Sequence, residues 1–312
     1  MLCFVSRETS VAYEMVILVT GATGFVGRRV CNMLLRQNHK IRVISRNTSI
    51  EFDDLVIADL SSDSLNESVF RDVTTIIHLA GHAHDLKVNG DTENYLKLNV
   101  DGTKRLAEMA SISGVKNFIY ISSTKAGADE DPNSLIEEAE GIYGQSKRAA
   151  ELAILNLPRD SRMRVNIIRP ALIYGPEVKG NLRLMLKGIK QGWFPPLPSL
   201  GNKRSMVHVD DVAECISHIK EQENLDKQIY QLTDNNEYSS AEIYDILCQV
   251  SGKKIKSIRL PLIFFKILST LHPSIKHKLN KLLGDETYSS LKIISTGFQP
   301  KKTLQHINET DY

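Results

Sequence analysis

The sequence predicts an α/β fold in which a doubly wound parallel sheet carries helices on both faces. Short apolar runs rich in β-branched residues alternate with helical periodicity through the first half of the chain. A glycine-rich turn directly follows the first of these runs, at 21–27. Alternation of this kind produces parallel βαβ units with right-handed crossovers. With 312 residues, of which 42% are hydrophobic, the chain can bury the core of one large domain or two moderate ones.

Six apolar runs supply the predicted strands of the first half. They lie at 16–20, 40–45, 55–58, 76–80, 117–122 and 164–169. Helical patterns predict helices at 25–35, 99–110 and 143–155.

The amino-acid composition changes after Pro170. Gly, Pro and aromatic residues cluster at 174–201, which predicts a loop region that covers a ligand rather than a regular element. A helix after Asp210, a strand at 228–232 and a mostly helical, Lys-rich last third complete the prediction.

Composition excludes several classes of protein. The 39 Lys and Arg residues nearly balance 37 Asp and Glu residues, and this net charge of +2 gives no electrostatic reason to expect nucleic-acid binding. The four cysteines, Cys3, Cys31, Cys215 and Cys248, lie far apart. They form no pair with metal-ligand spacing, so we expect reduced thiols in a cytoplasmic protein and no metal site.

Two segments bear on targeting. Residues 1–14 lack the continuous apolar region of a signal peptide, and Met15, directly before the first strand, is a candidate translation start. The apolar stretch 260–271 is interrupted by Pro261 and Lys266 and is too short to span a bilayer. Packing in the core or at a subunit contact is its favoured interpretation, and shallow membrane contact is the alternative.

The turn at 21–27 has the GxxGxxG pattern of a dinucleotide-binding loop between a strand and a helix. Gly21 permits the tight turn, Gly24 lets backbone N–H groups approach a pyrophosphate, and Gly27 lets the helix pack on the sheet. The other loop residues expected at the cofactor are Thr23, Phe25 and Val26. The pattern predicts a Rossmann-type nicotinamide dinucleotide site.

The end of the second strand bears on the choice of cofactor. NAD enzymes place an acid there for the ribose 2′-OH, whereas this strand is followed by Arg46. A guanidinium pairs well with a 2′-phosphate, which favours NADP(H) and leaves NAD(H) possible. Asp59 and Leu60, after the third strand, are candidates for contact with the adenine, although Asp59 could equally be a strand-end cap.

Tyr143 and Lys147 form a YxxxK pair that shares one helix face. Tyr has an ordinary pKa near ~10, and an adjacent ammonium favours the phenolate. Lys147 is expected to lower the pKa of Tyr143 and to hold the nicotinamide ribose. Ser123, at the end of the fifth strand, would hydrogen-bond the substrate oxygen.

Together these motifs make the chain resemble the extended short-chain dehydrogenase/reductases that act on nucleotide sugars, from Met15 to the C-terminus. The matching segments are 21–27 (GATGFVG), 78–81 (HLAG), 99–103 (NVDGT), 122–124 (SST), 143–147 (YGQSK), 169–176 (RPALIYGP), 204–211 (RSMVHVDD) and 296–300 (TGFQP). In the last of these, Thr and Phe replace the family's Leu and Trp.

The resemblance implies roles for further residues. Ser123, Tyr143 and Lys147 would be the catalytic triad. The cofactor would contact Leu79, Ala80, Gly81, Asn99, Pro170 and Ala171. The nucleotide sugar would contact Ser123, Thr124, Asn181, Trp193 and Arg204, with Arg204 on the diphosphate. For Trp193 core packing is an equal alternative; Asp210 and Asp211 are interpreted mainly as helix-capping residues, and His208 as structural.

The implied architecture is a Rossmann-type cofactor domain, 15–172 with about 203–231, and a smaller, mostly helical nucleotide-sugar domain, about 173–202 with 232–312. The helices at 99–110 and 143–155 commonly form a dimer contact in this family, so a homodimer is possible.

The family catalyses several reactions. In the 4,6-dehydratases the motif after the fifth strand is Thr-Asp-Glu, whereas this chain has Ser123-Thr124-Lys125, so dehydration is not expected. The missing acid after the second strand favours an exchanging NADP(H) and therefore a 4-ketoreductase. Segments 180–183 and 192–196 also resemble the reductases of UDP-4-keto-6-deoxy-N-acetylhexosamines in bacterial surface-polysaccharide pathways. A UDP-hexose or UDP-HexNAc 4-epimerase with bound NAD is the alternative, and a cofactor-binding regulator is the non-enzyme alternative.

Overall fold

The computed structural model describes residues 15–62, 65–82, 93, 95–158, 161–255, 259–271 and 282–307. Residues 1–14 lie outside the described residues. The expectations for Cys3, for the lack of a signal peptide and for a start at Met15 therefore stay predictions. For Lys266 and residues 268–271, the backbone alone is described.

Ten strands are described. They are β1 (Val16–Thr20), β2 (Lys40–Ser45), β3 (Leu55–Ile57), β4 (Val73–His78), β5 (Asn117–Ile121), β6 (Arg164–Pro170), β7 (Leu172–Tyr174), β8 (Arg204–His208), β9 (Gln228–Leu232) and β10 (Glu237–Tyr238). Seven of them form a parallel sheet in the order β3-β2-β1-β4-β5-β6-β9. Chain order reverses at β1, so the carboxyl ends of β1 and β4 meet at a topological switch point.

The described helices are α1 (Phe25–Arg36), α2 (Thr103–Ile112), α3 (Gly141–Leu155), α4 (Gly180–Gln191), α5 (Val209–Glu221), α6 (Ser240–Val250), α7 (Leu262–Leu271) and α8 (Leu291–Ile294). A π-helical turn, Tyr95–Gly102, leads directly into α2. Short 3₁₀ turns occur at Glu67–Phe70, Thr124–Ala126, Ile136–Glu138 and Leu304–His306.

Helices cover both faces of the parallel sheet. Leu106 of α2 and Ile154 of α3 pack on one face, in a core that includes Leu18 of β1. Val30 of α1 and Ile216 of α5 pack on the other face. Because both faces are buried, β1 is a continuous apolar run rather than an alternating one. The predicted doubly wound α/β fold is confirmed.

A second unit surrounds a three-stranded sheet in the order β10-β8-β7. Helices α4 and α6 pack there in a separate core. Since β8 pairs with β7 and β10, it is not a strand of the seven-stranded sheet. The two-domain division stays a prediction.

The loop predicted at 174–201 is wrong for residues 180–191, which form α4. Leu182, Met185 and Ile189 recur at helical spacing and are buried in the second core. The flanking glycines lie at the ends of this helix, and Gly192 ends it in the left-handed conformation, with φ +81°. Glycine is typical of loops, but here Gly180 and Gly192 mark the two ends of an amphipathic helix. Residues 193–203 contain no helix or strand.

Candidate active site

The turn between β1 and α1 has the geometry of a phosphate loop. Gly21 has φ +73°, and a Cβ there would lie 2.7 Å from the Ala80 nitrogen. A Cβ on Gly27 would lie 2.1 Å from the Gly21 oxygen. No side chain caps the start of α1 at Gly24, so the N–H groups of its first turn face outward for an anion. The residues present therefore fit a dinucleotide pyrophosphate.

The other loop residues differ in their surroundings. Thr23 is exposed, and its carbonyl accepts a hydrogen bond from Arg28 Nε at 3.2 Å. Val26 packs against the core of the parallel sheet. Phe25 packs against the core of the second unit, so the start of α1 contacts both.

The predicted adenosine-side residues lie together beyond β2 and β3. Arg46 is 69% exposed, and its Nη1 lies 3.7 Å from Asp59 Oδ2. Burial opposes ionisation of Asp59, but hydrogen bonds from Ser61 and the nearby Arg46 guanidinium bring its pKa below the ordinary value. Leu60 is buried, and its carbonyl accepts from Arg105 Nη2 at 2.7 Å. Asp59 thus places a carboxylate beside Arg46, although no acid directly follows β2 in the sequence.

Tyr143, near the start of α3, meets Ser123 at the end of β5. Their hydroxyl groups are hydrogen-bonded. The Ser123 Oγ also accepts from the Lys125 N–H at 3.2 Å, which fixes the turn that follows β5. The structure therefore brings together the two hydroxyl groups of the predicted triad.

The predicted effect of Lys147 on Tyr143 is wrong for this structure. Burial raises the pKa of Tyr143 to about 12, against the lowering effect of the Ser123 hydrogen bond. The Lys147 ammonium is directed elsewhere: its Nζ donates to the Ile121 carbonyl at 2.8 Å. Tyr143 is therefore a protonated phenol at neutral pH, which suits a proton donor.

Lys147 lies close to Gly81, one of the predicted cofactor contacts. Its Nζ is 4.5 Å from the Tyr120 ring centroid. A Cβ on Gly81 would lie 3.3 Å from the same Nζ. Burial lowers the pKa of Lys147 to about 8, partly opposed by Glu151. The structure thus places the Lys147 ammonium beside Gly81, and binding of a ribose by this ammonium stays a prediction.

Asn99 links the site segments. Its Oδ1 accepts from the His82 N–H at 2.7 Å, and its Nδ2 donates to Ser146 Oγ at 3.0 Å. The π-helical turn places this buried amide between the end of β4 and α3. Nearby, the Ala80 N–H donates to Thr20 Oγ1 at 3.1 Å, while Leu79 packs on the sheet core. The 78–81 and 99–103 segments thus form one hydrogen-bonded wall.

An ion-pair network involves Lys125, close in sequence to the predicted catalytic residue Ser123. Lys125, two residues beyond Ser123, pairs with Glu140 and, at 2.6 Å, with Glu286. Glu286 also pairs with Arg204 at 2.8 Å. The predicted diphosphate ligand Arg204 is therefore linked through this shared carboxylate to Lys125, two residues beyond Ser123. Neither Glu140 nor Glu286 belongs to a sequence motif, which is why sequence reasoning missed them.

The remaining predicted substrate residues are more dispersed. Asn181 is exposed in the first turn of α4. Trp193 is 58% exposed just beyond that helix, so the core-packing interpretation is wrong. Thr124 is buried and hydrogen-bonded to Tyr288.

Pro170 and Ala171 are buried at the end of β6. The Ala171 N–H donates to the Leu232 carbonyl at 2.9 Å, which ties this predicted nicotinamide segment to β9.

The start of α5 corrects one assignment. His208 is the capping residue, because its Nδ1 accepts from the Asp210 N–H at 3.1 Å. Asp211 instead accepts the N–H groups of Lys301 and Lys302 at 3.1 and 3.0 Å. Asp210 and Asp211 therefore lie in the first turn without capping it, and His208 has a structural role.

Three fully buried charged residues support the segment after Ser123. Glu151 lies between two guanidinium groups: Arg148 Nη1 is 3.0 Å from Glu151 Oε2, and Arg169 Nη2 is 2.6 Å from it. Arg148 also donates to the Pro132 and Ser134 carbonyls, and Arg169 to those of Gly127 and Asp129. The cluster thereby fixes the backbone at 127–134.

The described residues also bear on metal sites, membrane spans and disulfides. No group of three or more metal-binding side chains occurs in the described ranges. Over that part of the chain, no helix combines the length and apolarity needed to cross a bilayer. Cys31, Cys215 and Cys248 are buried, and none of them forms a disulfide within the described residues.

Residues 17–232 match the NAD-dependent epimerase/dehydratase family. The chain belongs to this family. The match spans the phosphate loop, the Ser123 and Tyr143 hydroxyls and all of the parallel sheet except Val16, so the geometry and the family agree on the same region.

The family includes enzymes acting on nucleotide sugars. The UDP-glucose 4-epimerase of Vibrio cholerae is 30% identical over 311 residues, covering 93% of this chain and 92% of that protein. The UDP-glucose 4-epimerase structure from Thermotoga maritima, with UDP-glucose, has a TM-score of 0.74 at 19% identity, covering 95% and 97%. The Thermus thermophilus UDP-glucose 4-epimerase complex with NAD has a TM-score of 0.70 at 21% identity, with the same coverage. This protein is therefore an NAD(P)-dependent enzyme of a nucleotide-sugar family.

Proposed function

We propose that this enzyme uses NADPH to reduce the C4 ketone of a UDP-4-keto-6-deoxy-N-acetylhexosamine in bacterial surface-polysaccharide synthesis. Arg46 carries the proposal. It follows β2 where an acid would bind the ribose of NAD, and its exposed guanidinium is accessible to a 2′-phosphate. A reductase must exchange its spent cofactor after every turnover, which suits NADP(H).

Lys125 supports reduction over dehydration. Dehydratases need carboxylates beside the catalytic hydroxyl, whereas Thr124 and Lys125 follow Ser123 here. The Lys125 ammonium is held by Glu140 and Glu286. No acid therefore occupies the two positions that would act on the sugar C5 and C6.

The triad performs the proton half of the reduction. The bound cofactor supplies the hydride to C4. Ser123 donates a hydrogen bond to the ketone oxygen, and the Tyr143 phenol gives its proton to that oxygen as it becomes an alkoxide. Burial keeps Tyr143 protonated beforehand, with a pKa of about 12. One hydride and one proton thus convert the ketone to an alcohol.

The substrate diphosphate is assigned to Arg204. Its guanidinium is nearly buried and paired with Glu286, so binding of an anion would require that pair to rearrange. Asn181 and Trp193 would contact the nucleotide from the second unit. A cytoplasmic homodimer formed through α2 and α3 is part of the same proposal.

A UDP-sugar 4-epimerase is the second candidate. The relatives from Vibrio cholerae and Thermus thermophilus are both named UDP-glucose 4-epimerase, and the second is a complex with NAD. Asp59, 3.7 Å from Arg46, is an acid that could bind an NAD ribose instead.

The test follows reduced-nicotinamide absorbance with purified protein, NADPH and UDP-4-keto-6-deoxy-N-acetylglucosamine. We expect one NADPH oxidised per ketone reduced, and Arg46→Ser should weaken binding of NADPH while leaving that of NADH unchanged. No oxidation of either cofactor, together with interconversion of UDP-hexose C4 epimers by protein carrying NAD, would establish the epimerase instead.

A further inference from the structure

Helix α7 presents large apolar side chains to solvent. Ile263, Phe264 and Ile267 are 59%, 45% and 55% exposed. Phe265, on the opposite side, is 3% exposed and packs in the core of the second unit. The helix is therefore anchored by one side while the three residues Ile263, Phe264 and Ile267, here termed the α7 face, point outward.

The α7 face lies within a strongly cationic part of the sequence. Residues 246–284 contain no Asp or Glu, and their basic residues are Lys253, Lys254, Lys256, Arg259, Lys266, Lys276, Lys278 and Lys281. Outside this stretch, 31 basic residues (39 less 8) face 37 acidic ones. Arg259 pairs with Asp245 at 2.5 Å, whereas Lys253 and Lys254 are exposed. The rest of the chain is thus net acidic while this stretch is basic.

Apolar exposure and positive charge together identify the partner. Lys266 belongs to α7, and the other basic residues flank this helix in the sequence. Two copies of the chain meeting at this face would therefore bring like charges together, which repulsion opposes. An anionic bilayer accommodates both features, because apolar side chains enter the acyl boundary while lysines remain among the headgroups. We propose that the α7 face docks this enzyme on the surface of an anionic lipid bilayer.

The length and packing of α7 suit contact with the bilayer surface rather than insertion across the bilayer. Helix α7 has ten residues, and none of the described helices is long and apolar enough to span a bilayer. Since Phe265 is held in the core, α7 would lie in the plane of the interface with the rest of the second unit above it. None of the residues of the α7 face is a predicted site residue, so docking does not depend on the proposed reaction.

The experiment is co-sedimentation of the full chain with vesicles. Phosphatidylglycerol-containing vesicles are compared with pure phosphatidylcholine vesicles, at low and at high salt. We expect binding to the anionic vesicles alone, weakened by salt. Phe264→Asp and Ile263→Asp should each reduce the bound-to-free ratio about ten-fold or more, since each removes a buried apolar side chain from the interface.

Leu291→Asp is the matched control, because Leu291 is 75% exposed on α8, outside the basic stretch. It should bind as wild type does. Circular dichroism verifies that each variant is folded, and two independent α7 variants guard against failure of one. Absence of binding to anionic vesicles, or equal loss in Leu291→Asp, would overturn the proposal. A smaller particle for Phe264→Asp in light scattering without lipid, with no vesicle binding by the wild type, would assign the face to a second copy of the chain.

Discussion

Glu151 is the residue at which a conservative change has the largest expected effect. Its carboxylate is fully buried between Arg148 and Arg169, with contacts of 3.0 and 2.6 Å to Oε2 and 2.8 Å from Arg169 Nε to Oε1. Glu151→Gln keeps the shape of the side chain but removes its negative charge. It also turns an amide N–H₂ group toward guanidinium donors, so at least one hydrogen bond is lost.

The magnitude follows from burial. Two guanidinium groups would stay inside the protein without a counter-charge, and breaking a buried ion pair in this way costs about 3–5 kcal/mol. The backbone carbonyls at 127–134 still accept hydrogen bonds from both arginines, which favours the lower end, about 3 kcal/mol. Because that segment follows Ser123, turnover should fall together with stability.

The assay is urea denaturation followed by circular dichroism. Glu108→Gln is the matched control, since Glu108 makes an exposed pair with Lys104 four residues away at 3.9 Å. Exposed helical pairs contribute about 0.5 kcal/mol or less, so the control should unfold almost as wild type does. Equal effects of the two substitutions on the free energy of unfolding would refute the reasoning from burial.

Three further outcomes are expected. Tyr143→Phe removes the proposed proton donor, so turnover should fall about 10²- to 10⁴-fold while NADPH affinity by calorimetry persists; near-normal turnover would contradict the mechanism. Burial lowers the pKa of Lys147 to about 8, so its ammonium is lost as pH rises through that value, and NADPH affinity should decline from about pH 7 to about pH 9; a flat profile would contradict its role as a ribose ligand. Burial and the nearby Lys147 lower the pKa of His78 to about 3, so folded protein cannot take up the proton that unfolded His binds below about pH 6.5, and stability should fall by about 2 kcal/mol from pH 7 to pH 5 through this group. In urea titrations of His78→Gln that component should vanish, and an unchanged pH dependence would contradict the assignment.

The parallel sheet could be predicted because each strand is recognisable from a short run of consecutive residues. The strands Val16–Thr20, Lys40–Ser45 and Gln228–Leu232 have the predicted bounds. Val16–Thr20 is a continuous apolar run, as burial on both faces requires, and the other two carry β-branched or aromatic residues at their centres. The glycine loop was equally local, since a turn, a close backbone approach and a helix start lie within seven residues.

The second unit was less predictable for two reasons. Its sheet joins β7, β8 and β10, which are two to five residues long and distant in sequence. The helix α4 was concealed by the glycines that bound it.

The candidate site, too, could be predicted from the sequence only in part. Ser123, Tyr143 and Lys147 were predicted from the YxxxK spacing and a strand end, and the structure brings the Ser123 and Tyr143 hydroxyls into contact. The predicted lowering of the Tyr143 pKa was wrong, because burial raises this pKa and the Lys147 ammonium donates to the Ile121 carbonyl instead. Both features depend on tertiary structure and have no local sequence signal. Glu286, which joins Lys125 to Arg204 across 161 and 82 positions, has no local signal.

The central claim is that hydride passes once from an exchanging cofactor to C4 of a ketone. The most direct measurement uses NADPH with deuterium at the transferable C4 position of the nicotinamide, with the nucleotide-sugar product analysed by NMR. The account predicts one deuterium at sugar C4 per cofactor oxidised, and loss of this transfer in Tyr143→Phe. A C4 epimer formed without deuterium from added cofactor would contradict it and show that hydride shuttles to and from a resident NAD.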